Sequence, residues 1–491
     1  MPSTSTLISP LTLRQPTSIS ALPRVDAGCV THVDTRRWCA LAVGSLVIAG
    51  LLSLAVVVGR LPVLSRIIDD PLFFKRCLVV HVDLALVVWF YAFLAGLLAL
   101  RSPASTTLVQ RGAFFAAVSG VVAMLAGGLV RGAQPVLANY VPVIDHPIFI
   151  AGLALFFVGM LFYFVTALAS SPPRRGSDLP ADVTLGLQAA AVLIVIAAAT
   201  WVSARAGLPA GLDVYTRMEF LAWGPGHVLQ AANACAMIAV WLWLLERATG
   251  TPVLSPSTAR MVFGALVLPQ AVMPLLTARG TLDSLYHTGA TQLMRWTLFP
   301  AIVAVVIFSL RHLQRARPKS GAAHPSARVA LTGFGASVGL AVLGLILGAC
   351  IRSSTTLVPA HYHASLGAVT VAFMTAAYFV CSIVQRDTVG APLRERVWHT
   401  ARWQLLVFGL GQTVFVLGFA IGGAYGLGRK TYAAEQHVRS AGEVWGLAVM
   451  GIGGLVAVVG GLWFLFLVLR EMRHWWRTSA TQRPVPFSLP S

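Results

Sequence analysis

The chain reads as a series of apolar runs, each about 20 residues long, with most of its charges gathered in the short stretches between them. A backbone surrounded by hydrocarbon must satisfy its own N–H and C=O groups, so runs of this length have to be helices. Twelve are legible, at about 38–59, 74–100, 112–131, 147–170, 184–206, 219–245, 261–280, 291–311, 328–351, 358–385, 402–427 and 442–470. They predict an all-α polytopic membrane protein with twelve transmembrane helices. Residues 1–37 then form an N-terminal tail, 38–471 one membrane domain and 472–491 a C-terminal tail. The first 37 residues lack an apolar core beside a small-residue cleavage site, so the first span is expected to act as the targeting signal.

Composition supports the same class. Hydrophobic residues make up 57% of the chain and charged residues 11%, against about 25% charged in soluble domains. A net charge of +19 in a soluble chain would suggest nucleic acid; here the cations lie between apolar runs, as an orientation signal does, and no nucleic-acid partner is expected. Loops after even-numbered spans hold clusters such as Arg311, Arg315, Arg317 and Lys319, whereas loops after odd-numbered spans hold Asp69, Asp70, Asp145, Asp213 and Asp283. The positive-inside rule thus predicts cytoplasmic termini in a bacterial-type inner membrane, with lipid as the immediate partner. The six cysteines form no CxxC or CxxCH spacing, which argues against a covalently attached c-type haem and a disulfide framework. Electrons, if used, have to come from another protein or a quinol.

The stretch LVPAHYHASLGAVTVAFM, from Leu357 to Met374, places two imidazoles near the start of the tenth span. Residues two apart on a helix point roughly 200° apart, so His361 and His363 serve two sites on opposite flanks rather than one metal. His81, His227 and His287 fall in the same outer half under the predicted orientation. Five imidazoles at one depth point to metal chemistry; the alternative is that they only hydrogen-bond neighbouring helices. Asp83, two residues after His81, is expected to hydrogen-bond away from that ligand. Gln230 shares a helix face with His227. Trp89, Trp241 and Trp243 suit span packing or interfacial anchoring.

These motifs resemble the catalytic subunit of the haem-copper oxidase superfamily, which includes cytochrome c oxidases and nitric oxide reductases. The resemblance extends over all twelve spans. It implies a low-spin haem held by His81, in CLVVHVDLALVVWF, and His363, and a high-spin haem held by His361. It also implies a second metal, copper or iron, on His227, in LAWGPGHVLQAAN, and His287, in SLYHTGA. Three departures stand out. Tyr286 occupies the place of a ligand in the family's His-His pair. Ala231 stands where some oxidases carry a tyrosine, and Gln230 and Asn233 stand where nitric oxide reductases commonly carry a glutamate. The expected catalytic set is His227, His287, Tyr286 and Gln230. Arg352, Arg429, Lys430 and Arg439 are either partners of the haem propionates or solvated loop charges.

The activity implied is a respiratory oxidoreductase that reduces O2 or NO, fed by an electron-donor subunit, cytochrome c or quinol. The eighth span has no lysine, and the membrane acids recognised in the sequence, Asp83 and Glu219, lie on the outer side. Little proton pumping is therefore expected. The alternative is a haem-binding membrane protein without turnover, used in gas sensing or haem handling. A transporter is disfavoured because no Gly/Pro-broken helices recur at matching places in two halves.

Overall fold

The computed structural model describes residues 32–58, 70, 72–101, 106–170, 179–316, 324–389, 393–429 and 438–481. Among these, twelve helices are long and apolar enough to cross a membrane: Val33–Val56, Phe73–Ala99, Leu108–Gly128, Pro147–Ala169, Ala181–Ala206, Val214–Thr249, Pro256–Ala278, Ser284–Arg315, Pro325–Cys350, Leu357–Arg386, Glu395–Ala424 and Ala441–Trp475. The all-α fold class is as expected from the sequence. Several ends are longer than the apolar runs, because a helix continues past hydrocarbon wherever its backbone can keep its own ladder. The sixth span starts at Val214, where Asp213 caps it by accepting from Thr216 N–H at 3.1 Å. The eighth starts at Ser284, capped by Asp283. His287 is therefore on the first turns of the eighth span, not beyond the seventh. Most of the N-terminal tail and the Arg-bearing segments 171–178 and 317–323 lie outside the described residues.

Two spans depart from regular α-helix. In the second, a π-helical turn, Asp83–Val88, begins two residues after His81, and such turns often mark functional places in helices. In the seventh, the sequence LVLPQAVMP leaves a 3-10 segment, Leu268–Val272, between Pro256–Val267 and Met273–Ala278. Pro269 and Pro274 remove backbone donors there. The third-to-fourth connection carries a short antiparallel hairpin, β1 (Gln134–Val136) and β2 (Val143–Asp145), with Pro135 opposite Ile144.

Small residues let the last two spans approach closely. A Cβ on Gly453 would lie 2.1 Å from Phe415 N, and one on Gly418 would lie 2.2 Å from Met450 N. Only hydrogen fits, which is how membrane helices pack without a solvent-driven hydrophobic effect. The sixth and tenth spans are the most enclosed of the twelve. They form the middle of the bundle, and four of the five candidate imidazoles are on the sixth, tenth and, beside them, second spans. Trp89, Trp241 and Trp243 are fully buried, so they pack between spans rather than anchor at an interface. Trp241 donates to Ser337 Oγ at 2.7 Å. Glu443 and Glu471, on the twelfth span, are also buried; membrane acids are not restricted to Asp83 and Glu219.

Candidate functional site

Consecutive membrane-crossing helices alternate in direction, so the first turns of the even-numbered spans share one side of the bundle. His81, His227, His287, His361 and His363 all lie in the first part of an even-numbered span. The fold sorts them into three settings.

His81 and His363 form the first. The His81 Nδ1 meets the Ala49 carbonyl of the first span at 2.8 Å. A carbonyl can only accept, so Nδ1 carries the hydrogen and Nε2 keeps a lone pair. His363 stacks on Phe419 of the eleventh span, with centroids 5.3 Å apart and planes 9° apart, and meets the edge of Phe415. Its ring nitrogens have no hydrogen-bond partner among the described residues. The second and tenth spans, which carry the two rings, pack against one another.

His361 forms the second, on the other flank of the same helix. Its Nδ1 donates to Gly344 O of the ninth span at 2.7 Å, again leaving Nε2 as the free donor atom. The ring sits against Gly348, where a Cβ would come within 2.7 Å of Nδ1. The opposed directions required by the HxH spacing are thus realised: His361 faces the ninth span and His363 the eleventh.

The third setting gathers His227 and His287 around Trp223, whose ring lies 5.0 Å from His227 and 5.4 Å from His287. His227 Nδ1 donates to Trp223 O at 2.8 Å, and its Nε2 accepts from the Tyr140 hydroxyl at 3.0 Å. His287 Nε2 donates to Thr281 O at 3.0 Å. Tyr286 is fully buried, and its hydroxyl is directed at backbone. It accepts from Gly224 N–H at 2.9 Å and donates to Phe220 O at 2.5 Å. Gly224 and Phe220 are an i→i−4 pair of the sixth span. The phenol bonds both groups of that pair just before Pro225, which has no N–H to give. Gln230 is half-buried.

Tyr140 was not singled out from the sequence. It is in the hairpin connection with φ +68°, a left-handed conformation uncommon outside glycine. Asn139 holds the loop: its N–H donates to Glu219 Oε2 at 2.7 Å, and its side-chain amide donates to the other carboxylate oxygen. The Tyr140 ring covers Gly226, where a Cβ would lie 2.2 Å from Cγ. No apolar period or metal-ligand spacing marks such a residue.

Asp83 differs from expectation. It is fully buried, and neither carboxylate oxygen has a hydrogen-bond partner among the described residues. Of the four candidate cations, Arg352 donates to Ala349 O and Ile351 O, and Arg429 donates to Ser354 Oγ at 2.9 Å. Both close the connection that precedes His361. The backbone N–H of Arg439 donates to Glu443 at 2.6 Å, and Lys430 lies outside the described residues.

These donor sets fit haem at the first two settings. A ligating imidazole characteristically commits one ring nitrogen to a carbonyl or carboxylate, which fixes its tautomer and raises its basicity. His81 and His361 are held this way, and His363 is held by stacking with both nitrogens open. The third setting does not fit a resident second metal. Both His227 nitrogens are engaged, the Tyr286 hydroxyl is engaged, and no group of three or more His, Cys, Asp or Glu side chains able to hold a metal is present among the described residues.

No family model matches the chain. It is 31% identical over 337 residues to an uncharacterized protein of Aquifex aeolicus (strain VF5), covering 68% of this chain and 81% of that one. It is 25% identical over 500 residues to the uncharacterized protein RP382 of Rickettsia prowazekii (strain Madrid E), covering 89% and 95%. In fold it is similar to a haem-copper terminal oxidase solved as a dimer, with a TM-score of 0.62 and 16% identity over 94% of this chain and 85% of that one. The chain therefore belongs to the family of the Aquifex aeolicus protein, and its fold is similar to that of a haem-copper terminal oxidase.

Proposed function

We propose that the protein is a haem-bearing oxidoreductase of the bacterial inner membrane that takes electrons from a cytochrome c, a quinol or a donor subunit and delivers them to O2 or NO. The observation that carries this reading is the state of three imidazoles. His81 and His361 each give Nδ1–H to a carbonyl of a neighbouring span and keep Nε2 free, while His363 keeps both nitrogens free. Two axial histidines suit an electron-transfer haem, and one suits a haem that keeps a position open for a diatomic ligand. When bound, the haems supply the one-electron redox chemistry.

The chain's own residues do the positioning. Ala49 O and Gly344 O fix the tautomers of His81 and His361, so each presents a lone pair without a proton transfer first. Phe415 and Phe419 keep the His363 ring from turning. Mounting His361 and His363 on one rigid helix fixes the separation and orientation of the two sites, which sets the distance an electron has to cross. Apolar span walls admit a small neutral gas and exclude ions. Cytoplasmic termini and the assignment of the haem-bearing end to the outer side belong to this proposal, carried by the arginine-rich even-numbered loops.

A second reading, haem binding without turnover, is favoured by one observation: His227 is closed off by Tyr140. Pyridine haemochrome analysis and a reduced-minus-oxidised spectrum of the purified protein test the haem reading; two haems per chain are expected. His81→Ala and His363→Ala are expected to remove the low-spin signal and His361→Ala the high-spin one. A protein without haem refutes the proposal. Amperometric assay with O2 and with NO then separates turnover from binding alone.

A further inference from the structure

We infer that the site around His227 is a metal-free tyrosine–histidine site, in which the Tyr140 hydroxyl holds the lone pair a second metal would need. A neutral imidazole has one N–H and one lone pair. The His227 hydrogen is spent on Trp223 O at 2.8 Å, so the lone pair is on Nε2, where Tyr140 O–H donates at 3.0 Å. A cation at Nε2 would have to displace that hydroxyl.

The arrangement is built rather than incidental. Tyr140 is kept at φ +68°, a left-handed conformation that is unfavourable for a non-glycine residue. It persists because Asn139 is fastened to Glu219 by two hydrogen bonds, because the phenol ring lies 4.9 Å from the His227 ring, and because Gly226 leaves room for it. The surrounding donors are also committed. His287 gives Nε2–H to Thr281 O, and Tyr286 bridges Gly224 N–H and Phe220 O. What remains is the lone pair on His287 Nδ1 and the amide oxygen of Gln230. Catalytic metal sites ordinarily need about three protein ligands, so with Tyr140 seated on His227 Nε2 the available set of two falls short.

The inference accompanies the haem reading but is tested on a different count. Total iron, copper and zinc are measured in the purified protein and compared with haem from the haemochrome assay, before and after incubation with cupric, ferrous or zinc salts and desalting. Metal equal to haem iron, with no further equivalent retained, is expected. A non-haem metal approaching one per chain, lost in His227→Ala, overturns the inference whether or not haem is present; absence of haem alone overturns only the proposed function.

The Tyr140 contact has its own readout. Diethylpyrocarbonate attacks an imidazole lone pair, and peptide mapping reports its rate at each histidine. Tyr140→Phe is expected to raise modification of His227 several-fold over wild type, with His287 as the internal reference for intact folding. Gly226→Ala, which pushes the ring off its seat, is expected to do the same. Equal His227 rates in wild type and both variants overturn the assignment.

Discussion

Replacing Tyr286 with phenylalanine keeps the ring and removes one oxygen that bonds the backbone of another helix. The hydroxyl takes the Gly224 N–H at 2.9 Å and gives to Phe220 O at 2.5 Å, and the side chain is fully buried. The variant leaves a buried donor and a buried acceptor, each worth about 1–3 kcal/mol when unsatisfied. The helix's own Gly224–Phe220 bond recovers part of this. The expected loss is about 2–4 kcal/mol, or roughly 30-fold to 1000-fold in the folded-to-unfolded ratio. Reversible unfolding in mixed detergent and SDS micelles measures it, with Tyr425→Phe as the control because that ring is 60% exposed. A loss under about 0.5 kcal/mol, the scatter of surface changes, refutes this role for the hydroxyl. Abolished turnover with unchanged stability would show instead that the phenol acts on substrate.

Asp70 and Asp83 give two further tests. Asp70 pairs with Arg76 at 2.5 Å while Arg76 also donates to Gly128 O at 3.0 Å; the hydrogen bond from Arg76 holds the Asp70 carboxyl below the usual carboxylate range. A depressed carboxylate stabilises the fold above its unfolded pKa of about 3.9 and loses that contribution as pH falls through its lower folded value. Thermal midpoints are therefore expected to fall below about pH 4 in wild type and to be flatter there in Asp70→Asn, which at neutral pH is expected to be less stable by about 1–2 kcal/mol after screening is allowed for. Parallel pH profiles of the two proteins would refute the pairing. Asp83→Asn is expected to leave stability unchanged or raise it, because it removes a carboxylate with no partner; a drop of more than about 1 kcal/mol in the same micelle assay would reveal a partner.

The sequence by itself determined the bundle and the direction of its imidazoles. Twelve apolar runs leave a chain no other way to satisfy its backbone in lipid, and the HxH spacing alone turns His361 and His363 to opposite flanks, as their contacts with the ninth and eleventh spans bear out. Helical periodicity is local, so these features are legible without knowing what lies beside them. Tertiary structure decided which nitrogen each histidine offers, because the Ala49, Gly344 and Trp223 carbonyls that set the tautomers come from backbone, where residue identity carries no signal. It also decided the fate of Tyr286 and the arrival of Tyr140. The first was expected in the catalytic set, at the place of a ligand, and its hydroxyl bonds the backbone of a helix 62 residues away in sequence; the second reaches His227 across 87 residues. Contacts of that range depend on how spans pack and on which glycines leave room, and only the folded chain brings them together.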